Sequence, residues 1–518
     1  MDTRPETDAT GSSDPGTADG LRGGSPPAPT SLRRRALHGS FWTVLRFGAE
    51  YGLRLASSLI LTRLLVPEAF GLMALVSSVM TGLQMFSDMG IGSGVIRHRR
   101  GDDPDFLNTA WTLQAIRGGV LWGFAALFAD ALALVYAKPE LRAIVVAAGF
   151  SVVLSGFQSI ALVKLRRDLE VRRLALIEVT GQLLTGVATV CWALAAPSVW
   201  ALVWGGLLGG GARLVISHLA VPEHRCRFRL EVEARKELFG FGKWIFVSTI
   251  LFFLAGQADR LIFGRLLSLP TLGLYSIAAT LAAIPTQIVW QIGHMVVFPA
   301  LSQHRDASGA LGRIYRRSVL PLLLLGLLPV ALVLVGGRDL IGLLYDPRYA
   351  EAGWMLQILA IGAWFQVPQA ASGAAVLAFG QPRWLVIGNG AKFAGLLVFL
   401  PLGYHLVGAA GAIAGLVVAE LLRYLALAIA VRRSGLPGLA IELGMTGLLL
   451  ALAGTGWAVQ RAIAGVGGGE LARLAGLTLA IVVLWLPAAL WILRDEWSEV
   501  LRGWRARRAG GAIAGSLP

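Results

Sequence analysis

Charged residues are scarce in this sequence, and cysteine and histidine are scarcer still. Only 15% of the 518 residues are charged while 55% are hydrophobic, and the chain has two cysteines and seven histidines. One soluble core could not hide so much apolar surface, which excludes an ordinary soluble domain and indicates a membrane protein. Cys191 lies in an apolar segment and Cys226 in a basic loop, so we expect neither a disulfide nor a metal site.

Two features of enzymes are also missing. The sequence has no Walker motif, which argues against ATP hydrolysis by this chain. No joint between the apolar segments exceeds about 25 residues, which leaves no room for a soluble catalytic domain. We therefore expect no catalytic residues, no cofactor and no enzymatic activity.

Fourteen apolar segments are long enough to cross a bilayer, which needs about 20 residues per helix. The predicted fold class is therefore all-α, a polytopic membrane protein with about 14 transmembrane helices. The segments lie near residues 40–65, 69–90, 108–136, 142–163, 174–196, 199–220, 241–266, 272–299, 318–345, 352–379, 384–403, 408–431, 439–460 and 471–493.

The distribution of basic residues predicts the orientation of these helices. A net charge of +15 would suggest nucleic-acid binding in a soluble protein, but here the cations follow the joints between helices. If both termini are cytoplasmic, the inside segments carry 31 Lys and Arg residues and the outside joints carry five. The positive-inside rule predicts this asymmetry for an even number of spans. We expect both termini in the cytoplasm and no nucleic-acid partner.

One stretch of the sequence occurs twice, 202 positions apart. Leu59–Leu72 and Leu261–Leu274 share seven of fourteen residues. The matches that composition does not explain are Arg63 with Arg265 and Gly71 with Gly273. Because both arginines close an odd-numbered helix, the two halves have the same orientation, which is typical of a parallel repeat that encloses a cleft.

The predicted organisation is two six-helix bundles followed by two further helices. The leader is rich in Gly, Pro, Ser, Thr and Asp and shows no cleavable signal. The predicted units are a disordered basic cytoplasmic tail (1–38), a first bundle (39–220), a cytoplasmic linker (221–240), a second bundle (241–431), two extra transmembrane helices (432–494) and a cytoplasmic tail (495–518).

Four runs carry a resemblance to a known family. They are "RLLVPEAFGLMALVSSVMTGLQMFSDMGIGSGVIRH", "ADRLIFGRLLSLPTLGLYS", "VVFPALSQ" and "LLYDPRYAEAGWMLQILAI". They resemble the polysaccharide-transporter family of lipid-linked oligosaccharide flippases, of the Wzx/WzxC type. That family is similar in turn to the MATE-like exporters of the MOP superfamily. The likeness extends from about residue 38 to about residue 430.

The resemblance implies a function and a set of partners. Such a protein would move an undecaprenyl-diphosphate-linked oligosaccharide across the bacterial cytoplasmic (inner) membrane, for the synthesis of exopolysaccharide, O-antigen or capsule. Its partners would be that lipid-linked oligosaccharide, the membrane lipids, and the polysaccharide polymerase and glycosyltransferases of the pathway. Two bundles that rock about a cationic cleft would provide alternating access.

Charged residues inside the first predicted helix are candidates for the transport site, because a charge at the bilayer centre costs on the order of 3 kcal/mol. Arg46, Glu50 and Arg54 follow one another at spacings of four, which places them on one helical stripe. We expect Arg46 and Arg54 to bind the diphosphate, and Glu50 to hold them or to accept a coupling proton. The alternative is a self-neutralising triad that bridges helices.

Later helices carry further candidates. Asp259 and Arg260 point about 100° apart and need separate partners, and Asp259 could pair with a first-helix arginine. Lys392 lies near the middle of its helix and is a candidate for binding substrate or for coupling. Glu420 and Arg423 are three residues apart and are expected to pair, and Glu420 is also a candidate for coupling to protons or sodium.

Arginines near the outer helix ends are expected to reach lipid phosphates, with a role in guarding the exit as the alternative. They are Arg63, Arg260 and Arg265. Asp88 ends the second helix near the inner face, where we expect a cap.

The eighth predicted helix carries a polar stripe. Gln287 and Gln291 are four residues apart and are expected to bind sugar hydroxyls, and Trp290 is expected to stack on a sugar face. The alternative is hydrogen bonding between helices, worth about 0.6 kcal/mol per pair.

Three other functions stay open at this point. A MATE-like exporter of drugs or organic cations would need a net acidic cleft. A membrane-embedded polysaccharide polymerase, ligase or acyltransferase would need a large outside loop or clustered His, Asp and Glu. A scaffold that recruits assembly partners through its tails would need no cleft.

Overall fold

We describe the chain in a computed structural model. The structure describes residues 29–87, 92, 95–96, 98, 100–168, 170–221, 226–304, 311–465, 467 and 469–494. Residues 1–28 and 495–518 of the predicted tails, and Asp88, lie outside the described residues.

Within these ranges the structure contains fifteen α-helices and no strand, which confirms the all-α fold class. A 3-10 turn, Pro347–Tyr349, joins α10 to α11. The helices are α1 (Pro29–Leu64), α2 (Pro67–Ser87), α3 (Pro104–Tyr136), α4 (Glu140–Gly156), α5 (Ala161–Arg167), α6 (Val171–Ala195), α7 (Val199–Leu219), α8 (Val232–Leu266), α9 (Leu269–Gln303), α10 (Leu311–Leu344), α11 (Ala352–Ala378), α12 (Arg383–Val407), α13 (Ala409–Arg433), α14 (Gly438–Gly465) and α15 (Glu470–Ile492).

Each of the fourteen predicted segments falls on one of these helices, and the fourth falls on the bent pair α4 and α5. Ten of the described helices are long and apolar enough to cross a membrane, and α4 with α5, bent by 60°, would make an eleventh. α1 and α8 are less apolar because they carry the charged residues discussed above, and α11 because it contains three glutamines. The chain is a multi-pass membrane protein.

Two helices begin earlier than predicted. α1 begins at Pro29, inside the segment predicted as a disordered tail, and α8 begins at Val232, inside the predicted linker. Proline suits the first helical position because its missing N–H has no partner there in any case. Charged residues such as Arg34 and Glu233 are good helix formers outside the hydrocarbon region, so hydropathy alone does not find these helix starts.

The helices pack mostly within their own half of the chain. In the first half α1 packs on α6, α3 on α4 and α6 on α7; in the second half α9 packs on α11, α11 on α13 and α12 on α13. α14 and α15 pack on each other and on α10, and α2 packs against both α8 and α9 of the second half. We call the side on which α1 begins the near side, and the side on which it ends the far side.

The two matched glycines of the repeat meet on the far side, where α2 packs on α9. A Cβ atom added to Gly71 would overlap the backbone oxygen of Leu269, and one added to Gly273 would overlap the backbone oxygen of Pro67. The backbones of the two halves therefore touch with no side chain between them. This close approach explains why glycine occurs at both positions.

The turn between α10 and α11 adds a second far-side contact. The Tyr349 hydroxyl donates to the backbone oxygen of Leu65 at 2.8 Å, and the Arg348 guanidinium donates to that of Arg63 at 3.0 Å. These bonds use backbone oxygens at the end of α1 that have no partner within the helix. The Arg348 side chain also donates to Asp346 at 2.9 Å, and this bond lowers the pKa of the Asp346 carboxyl. The two halves are thus held together on the far side.

On the near side, the chain leading into α8 is tied to the first half. Residues 226–231 run along the beginning of α3, where backbone N–H groups donate to buried side chains. The bonds are Arg227 to Asn108 at 2.9 Å, Arg229 to Thr112 at 3.0 Å and Glu231 to Thr109 at 3.1 Å. Arg100 pairs with Glu231 at 2.8 Å, which raises the pKa of the Arg100 guanidinium.

We expect Gly273→Ala to destabilise the protein by about 1–3 kcal/mol, because the new methyl group must force α2 and α9 apart. Thermal unfolding of the purified protein in detergent would measure this. Gly256→Ala in α8 is the matched control, since its methyl group would have no neighbour within 4 Å. Equal unfolding midpoints for the two variants would contradict the close approach.

Candidate functional site

A cavity of about 770 Å³ lies between α1 and the helices of the second half. This volume falls in the range of about 300–1,000 Å³ that is typical of ligand sites. Its lining includes Phe47 and Tyr51 of α1, Gln291 of α9, Gly373 of α11 and Leu427 of α13. Gln291, Gly373 and Leu427 lie in the near-side part of their helices, and Phe47 and Tyr51 lie near the middle of α1, so the cavity extends from the middle of the molecule toward the near side.

Two of the helices that line the cavity contain a proline next to a lining residue. Pro285 lies inside α9 and Pro368 inside α11, and both are neighbours of cavity-lining residues. A proline within a helix removes one backbone hydrogen bond and clashes with the preceding turn, so the helix bends there.

Uncharged polar side chains line much of the cavity. They come from three helices and are Gln287, Gln291, Gln366, Gln369 and Asn389. Trp290 also lines it, with 51% of the residue exposed and its ring 4.3 Å from that of His294. The structure thus places Gln287, Trp290 and Gln291 together on one wall. Their binding of sugar stays a prediction.

Among the described residues, Arg423 of α13 is the charged side chain that lines the cavity. Sequence reasoning paired it with Glu420, which was wrong. Glu420 instead accepts from the Lys392 ammonium at 2.5 Å and from the Gln366 amide at 3.0 Å. Because Glu420 points toward α11 and α12, it does not pair with Arg423, and the Arg423 guanidinium faces the cavity.

The Lys392–Glu420 pair is buried behind the cavity wall. Lys392 is 8% exposed and Glu420 is 2% exposed, and the Gln369 amide donates to the backbone oxygen of Glu420 at 3.1 Å. The pair therefore joins α12 to α13, and two glutamines connect it to α11. Lys392 does not line the cavity, and this pairing accounts for its position inside the bundle.

One buried polar atom of the lining has no hydrogen-bond partner within the described residues. It is the Oδ1 atom of Asn389, which is buried in α12. Buried polar atoms in native proteins are nearly always bonded to protein or to water. This oxygen can therefore accept a hydrogen bond from a ligand in the cavity.

The charged stripe of α1 faces away from the cavity, contrary to expectation. The Arg46 guanidinium pairs with Glu178 of α6 and lies 3.7 Å from Glu50, and Arg166 also pairs with Glu178 at 3.0 Å. Arg54 is exposed, with its guanidinium 6.0 Å from the Tyr51 ring. The adjacent face of α1, which carries Phe47 and Tyr51, lines the cavity instead. The ion pair with Glu178 holds Arg46 toward α6.

The polar group of α8 also lies away from the cavity. Asp259 is buried and accepts a hydrogen bond from the Tyr275 hydroxyl of α9, so its partner is not a first-helix arginine. Arg260 donates to Gln257 at 3.3 Å, and Gln257 accepts from Ser78 of α2 at 3.1 Å. These contacts join α8 to α2 and α9.

The exit-side cations differ in exposure. Arg63 and Arg265 are exposed near the far ends of α1 and α8, and Arg260 is half-buried. Their contact with lipid phosphates stays a prediction.

The sequence did not point to Glu178 or Tyr275, and it did not predict that the Arg423 side chain lines the cavity. Glu178 had a detectable signal, since it is an acidic residue inside an apolar helix at a depth comparable with Arg46. Tyr275 and Arg423 had none, because both depend on how one helix is rotated against the next.

Comparison with known proteins gives a family match over more than half of the chain. The family model described as "Polysaccharide biosynthesis protein" matches residues 60–354. This range includes the duplicated stretch and the turn that contacts the end of α1.

Two curated relatives match similar portions. The lipopolysaccharide biosynthesis protein WzxC of Escherichia coli (strain K12) is 24% identical over 279 residues, which are 53% of this chain and 56% of that protein. The succinoglycan biosynthesis transport protein ExoT of Rhizobium meliloti (strain 1021) is 26% identical over 282 residues, which are 53% and 55%. The chain thus spans about half the length of the curated relatives it matches.

Solved structures share the fold. The lipid II flippase MurJ in an inward closed conformation gives a TM-score of 0.69 at 12% identity, covering 89% of this chain and 99% of that one. A multidrug resistance MATE family transporter of the MOP superfamily, in an inward-facing conformation, gives 0.61 at 13% identity, covering 77% and 98%. At these identities the similarity concerns the fold alone.

We expect Lys392→Met to destabilise the protein by about 3–5 kcal/mol, because it leaves the Glu420 carboxylate buried without its cation. Unfolding in detergent would measure this, and Lys392→Met combined with Glu420→Gln should recover part of the loss. Arg142→Gln is the control, since the Arg142–Asp130 pair is 68% and 60% exposed and such pairs contribute about 0–1 kcal/mol. An equally small loss for Lys392→Met would contradict this account.

Proposed function

Since the chain belongs to the family of polysaccharide biosynthesis proteins, we propose that it is a flippase for undecaprenyl-diphosphate-linked oligosaccharides. The observation that carries the proposal is a cavity lined by amide side chains, one tryptophan and one arginine. A diphosphate attached to a sugar chain has the matching chemistry, an anion next to many hydroxyl groups. The name of the relative ExoT, a succinoglycan biosynthesis transport protein, supports transport rather than an enzymatic reaction.

In this proposal Arg423 binds the diphosphate. A guanidinium presents two parallel N–H donors that suit phosphate oxygens, and such charge-assisted bonds are about twice as strong as neutral ones. Gln287, Gln291 and the unpartnered oxygen of Asn389 bind sugar hydroxyls, and the exposed ring of Trp290 stacks on a sugar face. Amides suit this task because each offers both donors and an acceptor.

The arginines of α1 are proposed as further contacts. Arg54 has an exposed guanidinium on the stripe next to the cavity-lining one. Arg46 can join it only if its ion pair with Glu178 opens. Both would then act at a later step of transport than Arg423.

The lining distinguishes this proposal from an exporter of organic cations. Such an exporter needs an anionic group to bind its cargo, and no carboxylate lines the cavity within the described residues. The carboxylate of Glu420, which bonds the cavity-lining Gln366, is already paired with Lys392.

We further propose that the near side is cytoplasmic and that transport proceeds by alternating access in the bacterial inner membrane. Support comes from the excess of Lys and Arg in the near-side joints. The contacts of Gly71, Gly273 and Tyr349 would close the far side while the cavity takes up substrate from the near side. Release on the far side would supply the polymerase of the polysaccharide pathway.

We expect Arg423→Gln to reduce transport at least about tenfold, because loss of a hydrogen bond to a charged group costs about 1.5–3 kcal/mol. The assay uses vesicles containing the purified protein and a fluorescent polyprenyl diphosphate carrying a disaccharide. The fraction of label accessible to a membrane-impermeant quencher reports movement between leaflets.

Arg316→Gln is the matched control, since Arg316 is an exposed arginine of α10 away from the cavity. Wild-type transport by Arg423→Gln would contradict the role of Arg423. A wild-type protein that leaves this lipid in place but transports an organic cation such as ethidium would contradict the proposed function.

A further inference from the structure

The helix pair that follows the two bundles contains a buried carboxyl group. Within the described part of α14 and α15, Glu442 is the charged residue that is buried, with 2% of its surface exposed. The Tyr424 hydroxyl of α13 donates to its Oε2 atom at 2.7 Å, and the Ser372 hydroxyl of α11 lies 3.5 Å from its Oε1 atom. Neither partner carries a charge.

A third hydroxyl lies beside this carboxyl. Tyr315 of α10 is fully buried, and its hydroxyl lies close to Ser372 and to the carboxyl of Glu442. A Cβ atom added to Gly438, one turn before Glu442 in α14, would lie 3.2 Å from this hydroxyl.

The cations of the surrounding helices are directed elsewhere. Arg423 of α13 lines the cavity, and Arg473 of α15 pairs with Asp339 at 3.1 Å. α11 contains no charged residue. The arginines at this end of α10 and α13 are exposed; they are Arg313, Arg316, Arg317, Arg432 and Arg433. Within the described residues the carboxyl of Glu442 therefore has hydroxyl groups as partners and no ion pair.

Such surroundings suit a carboxyl that gains and loses a proton. An ionised carboxylate buried without a cation carries a desolvation penalty of several kcal/mol, which protonation removes. A hydroxyl can donate to the carboxylate and can also accept from the protonated acid, so the same partners serve both forms. Glu178, Glu420 and Asp339 each pair with a cation, and Asp259, which accepts from the Tyr275 hydroxyl, interacts with the charge of the adjacent Arg260.

The site lies directly behind the wall of the cavity. Tyr424 follows the cavity-lining Arg423 in α13, and Ser372 precedes the cavity-lining Gly373 in α11. The rings of Phe365 of α11 and Tyr424 are also in contact, tilted by 35° with their centroids 5.8 Å apart. A change in the hydrogen bonds of Glu442 therefore acts on the two helices that present Arg423 and the glutamines to the substrate.

We propose that Glu442 is a proton-binding site that couples transport to a pH gradient. The inference rests on the proposed function. When water delivers a proton to Glu442, one O–H bond forms on the carboxyl, and Tyr424 changes from donor to acceptor. When the proton returns to water, that O–H bond breaks and the donation from Tyr424 is restored. α14 thereby connects the protonation state of Glu442 to the position of α11 and α13.

The test uses the vesicle assay with the same fluorescent lipid and an imposed gradient of one pH unit. If one proton moves per cycle, the gradient shifts the steady-state ratio of label between leaflets by up to about tenfold in the wild type. We expect no shift for Glu442→Gln, and a shift close to the wild-type value for Glu442→Asp. Glu470→Gln, at an exposed carboxyl of α15, is the matched control and should keep the full shift.

A second measurement does not depend on transport. Infrared difference spectra of the purified protein at two pH values should contain the C=O stretching band of a protonated carboxyl, and Glu442→Gln should lack it. A structural role alone would leave this band in place.

Four results would overturn the proton site. They are a gradient response that persists in Glu442→Gln, a wild type that transports without responding to pH, a response to a sodium gradient instead, and an unchanged infrared band. Absence of lipid movement by the wild type under every gradient would overturn the proposed function, and the infrared band would still decide the proton site.

Discussion

A charged side chain within the membrane needs a counter-charge, hydrogen-bond donors or water, and this requirement determines how the helices of this protein are rotated. Arg46 meets Glu178 between α1 and α6, and Lys392 meets Glu420 between α12 and α13. Each pair joins two helices, so it sets the face that each one turns inward. Arg423 lines the cavity because its near neighbour Glu420 is already bound to another helix.

Segment positions could be predicted from the sequence because they depend on the length and hydropathy of each segment, which are local properties. The location of Gln287, Trp290 and Gln291 on one cavity wall also followed from a local pattern, a polar stripe in an apolar helix. The predicted direction of Arg46 was wrong because it depends on Glu178, 132 residues away in the chain. Helical spacing shows which residues share a face, but not which helix that face meets.

The cavity is asymmetric although the sequence is duplicated. α1 provides its lining from the first half, while α9, α11, α12 and α13 provide most of the lining from the second half. In the described part of the first half, charged side chains form ion pairs with each other, such as Arg166 with Glu178, and do not line the cavity. Two similar halves of the sequence thus contribute unequally, and most of the cavity lining comes from the second half.

The contact between Gly71 and Gly273 has a mechanical consequence. Where large side chains interdigitate, two helices cannot tilt against each other without first separating, and separation exposes apolar surface. At the glycine pair the backbones of α2 and α9 touch without interdigitating side chains. The two helices can therefore rotate against each other about this contact. Rotation about the glycine pair would thus change the separation of the two halves on the near side while the far-side contact is kept.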